Sequence, residues 1–83
     1  MWHVYIVRCA DQTLYTGITT DLKRRLAEHN TSPLSAKYTR TRRPVNLVYS
    51  ASFESKSAAS KEEFRIKRLS RTGKLAMIGA LSA

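Results

Sequence analysis

The sequence brings a phenol, a guanidinium and an imidazole close together along one short stretch of chain. Tyr15 opens this stretch, and Arg25 and His29 follow it. A tyrosine can position or deprotonate water, an arginine stabilises anionic charge, and a histidine accepts or relays protons. In a strongly basic protein, this combination indicates phosphodiester chemistry. The alternative is structural, because tyrosines suit strands and most helical arginines are hydrated.

Two strands and a helix must position these groups. A run rich in β-branched and aromatic residues predicts a strand at 2–8, and a second strand is predicted at 14–19 after a polar turn. A helix is then predicted at 21–30. Three residues are suitable N-caps for this helix: Thr19, Thr20 and Asp21.

The first predicted helix turns Arg25 and His29 toward the core. Both share helical spacing with Leu22 and Leu26, so Arg25 borders the apolar stripe and His29 lies almost on it. We therefore expect both polar groups at the edge of the core. The structural alternatives are a buried histidine bonded to a carbonyl, and an arginine in a salt bridge at the edge.

Tyr5, in the first strand, can join Tyr15 only if the hairpin has a suitable register. Side chains alternate between the two faces of a sheet. The two tyrosines therefore share a face when the connecting loop has an odd number of residues or the pairing contains a bulge. We predict this odd-loop or bulged arrangement, because a regular even loop would separate the two rings.

The rest of the chain completes the predicted fold. A third strand is predicted at 45–53, where Val45, Leu47 and Tyr49 alternate and are expected to share one face. Two helices follow it. The element order β-β-α-β-α-α predicts an α+β fold, with a small three-stranded, mostly antiparallel sheet flanked by helices. We expect a single domain spanning residues 1–83.

The two C-terminal helices are delimited by serines and a glycine. The longer helix is predicted to start at Ser55 or Ser57 and to run to about Ser70. Gly73 is predicted to mark a break, after which residues 74–81 form a short terminal helix.

Two adjacent carboxylates lie beside the apolar stripe of the longer helix. Glu62 and Glu63 both lean on that stripe, and helical spacing does not distinguish them. A carboxylate in this position needs a cation or hydrogen-bond donors to offset its desolvation. Mg²⁺ is a natural partner for one carboxylate, because it keeps several waters and takes phosphate oxygens as further ligands. The alternative is a salt bridge within this arginine-rich chain.

The charge of the chain favours a polyanionic partner. Fifteen lysines and arginines against six acidic residues give a net charge of +9, so nucleic acid is expected first and anionic membrane second. Residues 37–43 combine four cations with an aromatic ring, which suits a phosphate backbone carrying an unstacked base. A solvated loop is the alternative. The candidate nucleic-acid contacts are Lys37, Tyr38, Arg40, Arg42, Arg43 and, on the longer helix, Lys67.

Several function classes are disfavoured. No apolar run approaches the roughly 20 residues of a membrane span, and no basic-then-apolar signal segment opens the chain. The single cysteine, Cys9, is expected to be a buried thiol, which fits a reducing cytoplasm. The chain has no Walker loop, Cys/His zinc pattern, Gly-x-Ser-x-Gly or Gly-x-Gly-x-x-Gly motif. These absences exclude most nucleotide-dependent, zinc and serine-hydrolase chemistries.

Taken together, the motifs resemble the GIY-YIG nuclease domain. The resemblance is carried by His3-Val4-Tyr5, Tyr15-Thr16-Gly17, Arg25, His29 and a helical Glu63, and it covers essentially the whole chain. It is closest to the small stand-alone bacterial members, and similar to the catalytic domain of structure-specific endonuclease subunits and to the excinuclease C N-terminal domain. His3 stands where the family usually has glycine, and Thr16 where it often has isoleucine.

The resemblance implies hydrolysis of DNA phosphodiester bonds that depends on Mg²⁺, or on Mn²⁺ in its place. By position, Tyr5 and Tyr15 match the two motif tyrosines and Gly17 matches the motif glycine. Arg25 matches the helical arginine that steadies the phosphate. An unperturbed phenol has a pKa of about 10, so the choice between a base and a water-positioning role stays open for both tyrosines.

The resemblance also chooses between the two carboxylates. Glu63 matches the metal-binding glutamate, with a substrate phosphate as a further ligand, and His29 matches a histidine found near the site in many relatives.

Two other function classes compete with a nuclease. The charge and the cluster at 37–43 also suit a non-catalytic nucleic-acid-binding module, whose binding would be salt-sensitive and independent of metal. A small domain also leaves little surface for substrate recognition, so a protein partner that supplies specificity is the third hypothesis. DNA repair or recombination is the setting that the resemblance implies, and RNA stays open as a substrate.

Overall fold

Three antiparallel strands form the centre of the fold. A computed structural model describes residues 1–31 and 37–82. Its strands are β1 (Trp2–Arg8), β2 (Leu14–Thr19) and β3 (Asn46–Phe53). β1 lies in the middle and pairs with β2 on one side and β3 on the other. The predicted fold class and element order are confirmed.

Local capping explains where the helices begin. The helices are α1 (Leu22–Thr31), α2 (Lys37–Arg40), α3 (Lys56–Lys67) and α4 (Arg71–Ser82). Asp21 is the N-cap of α1, where its Oδ1 accepts the Arg24 amide at 3.0 Å. Ser55 is the N-cap of α3, where its Oγ accepts the Ala58 amide at 3.1 Å. The single turn α2 lies inside the basic cluster that the sequence singled out.

The sheet is covered on both faces, and each face has its own small core. On one face, α3 and α4 pack against the sheet through Val4, Ile6, Ala59, Ile66 and Ile78. On the other face, α1 packs through Leu22 and Leu26 over Tyr5, Val7, Cys9 and Val45. The candidate catalytic residues lie on this second face, because Tyr5 points away from the α3 core.

The β1–β2 hairpin has the odd loop that the two tyrosines require. Residues 9–13 connect the strands, and the register pairs Tyr5 with Gly17 and Val7 with Tyr15. Residues paired across an antiparallel ladder share a face, and so do residues two positions apart on a strand. Tyr5 and Tyr15 therefore lie on the same face, as predicted.

The predicted alternation along β3 holds for Val45 and Leu47, which both lie with Val7, but is wrong at Tyr49. A register shift between Ile6 and Val7 places Leu47 opposite Val7 and Tyr49 opposite Ile6. An extra residue on one strand of a pair turns the side chains beyond it to the other face. Tyr49 therefore packs in the α3 and α4 core, while Leu47 lies on the face that carries the tyrosines.

The predicted break at Gly73 is also wrong. α3 ends at Lys67, and Gly73 lies in the first turn of α4. Ser70 sets the boundary, because its Oγ accepts the Gly73 amide at 3.2 Å and its carbonyl accepts the Lys74 amide at 3.0 Å. A serine cap therefore separates the two helices.

The single thiol lies in the protein interior. Cys9 is buried, as predicted, and burial raises the pKa of its thiol. No helix within residues 1–31 and 37–82 is long and apolar enough to cross a membrane.

Candidate active site

Both tyrosines and the histidine converge beneath α1. The Tyr5 hydroxyl lies 2.8 Å from His29 Nε2. The ring centroid of Tyr15 is 6.5 Å from that of Tyr5 and 5.4 Å from that of His29. His29 and Tyr5 are buried, and Tyr15 is partly exposed. The helix and the hairpin thus place three of the predicted catalytic side chains in direct contact.

Gly17 is required because the Tyr5 ring lies across it. A Cβ atom at position 17 would lie 2.6 Å from the hydroxyl oxygen and 2.8 Å from Cζ of Tyr5. It would also lie 3.2 Å from Cε2 of Tyr15. The backbone at this position has no positive φ, so close approach rather than conformational freedom explains the glycine.

His29 continues the hydrogen-bond chain to α2. Its Nδ1 lies 2.7 Å from Oγ1 of Thr39, which is fully buried. Burial, together with the positive charge of Arg25, lowers the pKa of His29 to about 4, so the ring is neutral at pH 7. Sequence analysis missed Thr39, because a single threonine within a basic stretch carries no distinguishing signal.

The direction of this chain follows from the donors. A guanidinium can only donate, and Arg25 hydrogen-bonds the Tyr5 hydroxyl. We therefore assign the phenolic proton to the bond with His29 Nε2. In a neutral imidazole the other nitrogen then carries the proton, so Nδ1–H donates to Thr39. The histidine bonds two hydroxyls, whereas the structural alternative predicted a carbonyl.

The environment of Tyr5 keeps its phenol protonated. Burial raises its pKa to about 12. The hydrogen bond from Arg25 opposes that rise, whereas the negative charge of Glu63 adds to it. A phenol of this kind can act as a base only if its own proton moves on, and His29 Nε2 is the acceptor in contact with it.

Arg25 is held at the rim of the site by an acidic neighbour. Its Nη1 donates to Glu28 Oε1 at 2.8 Å, and both side chains are 23% exposed. This is the edge salt bridge of the structural alternative, and it coexists with the bond to Tyr5. The adjacent Arg24 is 60% exposed and lies 3.9 Å from Glu28. α1 therefore presents Arg25 to the phenol and Arg24 to solvent.

Glu63 belongs to the site electrostatically. Its carboxylate is 23% exposed and its Oε2 lies 3.3 Å from Lys67 Nζ. Its negative charge raises the pKa of the Tyr5 phenol, although it reaches the site from α3. Within residues 1–31 and 37–82, no three His, Cys, Asp or Glu side chains cluster as a metal site.

Glu62 lies on the opposite flank of α3. It forms a two-pronged ion pair with Arg65, whose Nη2 donates to Glu62 Oε2 at 2.9 Å. This pairing lowers the pKa of Glu62. Arg65 in turn interacts electrostatically with Tyr49 of β3. The two glutamates, which helical spacing left equivalent, therefore have different surroundings: the charge of Glu63 raises the pKa of the Tyr5 phenol, whereas Glu62 pairs with Arg65.

The basic cluster places one aromatic ring, that of Tyr38, against the site. Tyr38 stacks on Tyr15, with ring centroids 5.9 Å apart and an interplanar angle of 24°. The guanidinium carbon of Arg42 lies 4.1 Å from the Tyr38 centroid, and its Nε donates to Asp11 Oδ2 at 3.0 Å. Arg42 thus also ties α2 to the hairpin loop.

The other predicted nucleic-acid contacts differ in their surroundings. Arg43 Nε donates to the carbonyl of His29 at 2.7 Å, so this cation also anchors the end of α1. Arg40 is exposed on α2, and Lys67 pairs with Glu63. The side chain of Lys37 lies outside the described part of the structure. Their contact with nucleic acid stays a prediction.

Comparison with known proteins places this geometry in a family. The family model described as the GIY-YIG catalytic domain matches residues 1–76. The chain belongs to the GIY-YIG family. A UPF0213 protein of Desulfotalea psychrophila is 57% identical over 79 residues, which cover 95% of this chain and 72% of that protein. A UPF0213 protein of Halobacterium salinarum is 56% identical over 77 residues, covering 93% and 99% respectively.

Two solved structures have a similar fold. The solution NMR structure of a UPF0213 protein from Bacillus halodurans has a TM-score of 0.62 and 43% identity, and covers 96% of this chain and 85% of that one. A solution NMR structure from E. faecalis has a TM-score of 0.64 and 40% identity, with coverages of 96% and 84%. The resemblance predicted from the motifs is confirmed.

Proposed function

We propose that this GIY-YIG protein is a Mg²⁺-dependent endonuclease that hydrolyses DNA phosphodiester bonds. The observation that carries the proposal is the Tyr5 hydroxyl, held between His29 Nε2 and Arg25 and exposed to the charge of Glu63. A proton acceptor, a fixed cation and a carboxylate acting on one oxygen suit an attack on an anionic phosphorus centre. Membership of the family supports nuclease chemistry in general.

The hydrogen-bond chain suggests how the attacking water loses its proton. As the new P–O bond forms, the water proton passes to the Tyr5 oxygen while the Tyr5 proton moves to His29 Nε2. The bond between phosphorus and the sugar oxygen then breaks with its electron pair going to that oxygen, Arg25 stabilises the developing negative charge, and the leaving oxygen takes a proton from solvent. Thr39 accepts from His29 Nδ1 throughout, which holds the ring in the required tautomer.

Tyr15 suits a positioning role. Its ring contacts Tyr5, His29 and Tyr38, and its hydroxyl makes no hydrogen bond to the described part of the chain. That hydroxyl is therefore available to a water molecule or a phosphate oxygen. We assign the base role to Tyr5 and the positioning role to Tyr15.

The residues present fit a hard divalent cation. Glu63 offers carboxylate oxygens, and its partner Lys67 is a half-exposed side chain that can swing away. One carboxylate completed by water and phosphate oxygens is a usual Mg²⁺ environment, and Mn²⁺ accepts the same ligands. When bound, the ion polarises a phosphate oxygen.

Two pairs of adjacent residues give a matched test of cleavage. Purified protein is incubated with supercoiled, single-stranded and branched DNA in Mg²⁺, Mn²⁺ or EDTA. We expect metal-dependent cleavage that falls by about 10²–10³ in Arg25→Ala, because removing one transition-state donor has this effect. Arg24→Ala should cleave normally. Glu63→Gln should lose cleavage, whereas Glu62→Gln should retain it.

The same experiment separates the competing function classes. Cleavage that persists in a pure, folded Arg25→Ala or Glu63→Gln variant contradicts the proposed mechanism. Binding without cleavage on every DNA favours a non-catalytic or partner-dependent nucleic-acid-binding module. We place the activity in cytoplasmic DNA repair or recombination, with a protein partner contributing substrate specificity. An RNA panel tested in parallel decides whether the substrate is limited to DNA.

A further inference from the structure

An exposed aromatic ring lies next to the candidate metal-binding glutamate. Phe64 directly follows Glu63 on α3, and it is 63% exposed to solvent. Phenylalanine is usually buried, because full burial of its side chain contributes roughly 2–3 kcal/mol to folding. Phe64 is the most exposed aromatic ring within residues 1–31 and 37–82. The fold therefore presents this ring to solvent instead of using it in either core.

The surroundings of this ring are cationic. The guanidinium carbon of Arg68 lies 5.5 Å from the Phe64 centroid, within the range of a cation–π interaction. Lys61 and Lys67 lie three residues before and after Phe64, so both neighbour it on the helix surface, and both are exposed. The centres of protein-binding patches are contiguous and apolar, and lysine is depleted in them. A flat ring surrounded by positive charge instead fits a ligand with an aromatic face and phosphates.

The Phe64 ring lies on the same flank of α3 as Glu63 and Lys67. Lys67 bonds Glu63 and is also a surface neighbour of Phe64, so these three side chains form one continuous strip. Glu63 acts on Tyr5, whereas the opposite flank of α3 acts on Tyr49 of β3 through Arg65. Because Phe64 directly follows Glu63 on α3, a DNA strand with a phosphate at Glu63 would have a neighbouring nucleotide beside the ring.

We propose that Phe64 stacks on an unpaired nucleobase adjacent to the scissile phosphate, while Lys61, Lys67 and Arg68 bind the flanking phosphates. A base within a duplex has both faces covered by its neighbours, whereas an unpaired base offers the ring a free face. This inference rests on the proposed nuclease function and specifies its substrate class. The substrate is DNA with a single-stranded or branched segment at the cleavage point.

Two probes with equal numbers of phosphates test the base contact. One is a duplex with a single unpaired 2-aminopurine, and the other is a fully paired duplex containing the same base. Binding is followed in EDTA by anisotropy and by 2-aminopurine fluorescence. We expect the wild-type protein to prefer the unpaired probe and to quench it. Phe64→Leu should weaken binding to the unpaired probe about tenfold and leave duplex binding unchanged.

Two further variants control for other causes. Phe64→Trp should retain the preference, because it keeps an aromatic face of similar position. Leu75→Ala removes another exposed apolar side chain, 38% exposed on α4, and should change neither affinity. Because Phe64 is exposed, circular dichroism should show that all three variants stay folded.

The outcomes separate this inference from the proposed function. Wild-type protein that binds both probes equally or binds neither, or a Phe64→Leu variant with unchanged preference, overturns the base contact. Equal weakening on both probes also overturns it. Cleavage in Mg²⁺ is measured separately. Preference without cleavage contradicts the nuclease proposal and supports the base contact, whereas cleavage without preference contradicts the base contact alone.

Discussion

At the scale of single residues, the site depends on the missing side chain of Gly17. The Tyr5 hydroxyl reaches His29 because its ring lies directly over the β2 backbone. The distances of 2.6 and 2.8 Å to a Cβ at this position are shorter than real Cβ contacts, so the ring would have to move. The motif glycine therefore sets the position of the phenol, and the phenol sets the hydrogen-bond chain.

Gly17→Ala is expected to abolish cleavage and to destabilise the fold. Overpacking of this kind costs about 1–3 kcal/mol, and displacement of Tyr5 breaks its bond to His29. Chemical denaturation and a cleavage assay measure the two effects. Gly79→Ala is the matched control, because a Cβ there meets no described atom within 4 Å apart from its chain neighbours and its own helix backbone. Alanine in a helix should stabilise the control by up to about 1 kcal/mol with activity unchanged. Normal cleavage by Gly17→Ala would contradict this explanation of the glycine.

At the scale of elements, His29 joins three of them. It is buried on α1 and bonds Tyr5 of β1 and Thr39 of α2. Its pKa is about 4 in the fold, below the ordinary value of 6.5, because burial disfavours the charged ring. The unfolded chain therefore binds more protons between pH 6.5 and 4. This contribution to stability is fully present above pH 6.5 and is lost as the pH falls toward 4.

The free energy of unfolding is expected to fall by up to about 3 kcal/mol across that interval, which is the cost of a 2.5-unit pKa difference. Urea denaturation at several pH values between 7 and 4.5 measures it. His29→Gln should be less stable at pH 7 and should lose most of the pH dependence. His3→Gln removes the other histidine, which is partly exposed and bonds Ser52, and should keep the wild-type slope. A wild-type slope in His29→Gln would show that other groups cause it.

The strands and helices show which features of the fold could be predicted from the sequence and which could not. Local patterns predicted the strands, the inward turn of Arg25 and His29, and the odd hairpin loop, because each depends on periodicity or chain parity. The bulge in β3 has no such pattern, so the alternation of Leu47 and Tyr49 failed. The partnership of His29 with Thr39 depends on how α2 packs against α1, which spacing along the chain does not encode.

The two glutamates illustrate the same limit. Glu62 and Glu63 lie symmetrically about the apolar stripe of α3, so periodicity treats them alike. The surroundings of the two flanks of α3 differ, because the helix packs on a sheet in which β2 and β3 lie on opposite sides of β1. Only the packed helix shows that the charge of Glu63 influences Tyr5 while Glu62 is paired with Arg65.

At the scale of the whole molecule, the net charge of +9 predicts strong, salt-dependent attraction to DNA. Such attraction comes from counterions released as phosphates are neutralised, and each contact contributes about −0.9 to the slope of log K against log salt concentration. The slope therefore counts the cations that touch DNA. The change in this slope when one cation of α3 is replaced shows whether that cation touches the DNA strand.

Lys67 and Arg65 form a matched pair for this measurement. Both residues lie on α3 and are about half exposed. Each pairs with a glutamate one helical turn earlier, but the two pairs lie on opposite flanks of the helix. Lys67→Ala is expected to reduce the salt slope by about 1 if the strand follows the flank of Glu63, whereas Arg65→Ala leaves it unchanged. Binding titrations from 50 to 200 mM salt in EDTA measure both slopes without hydrolysis. Equal slopes in the two variants would mean that charge attracts DNA without orienting it, and the reverse order would place the strand over β3 and away from Tyr5.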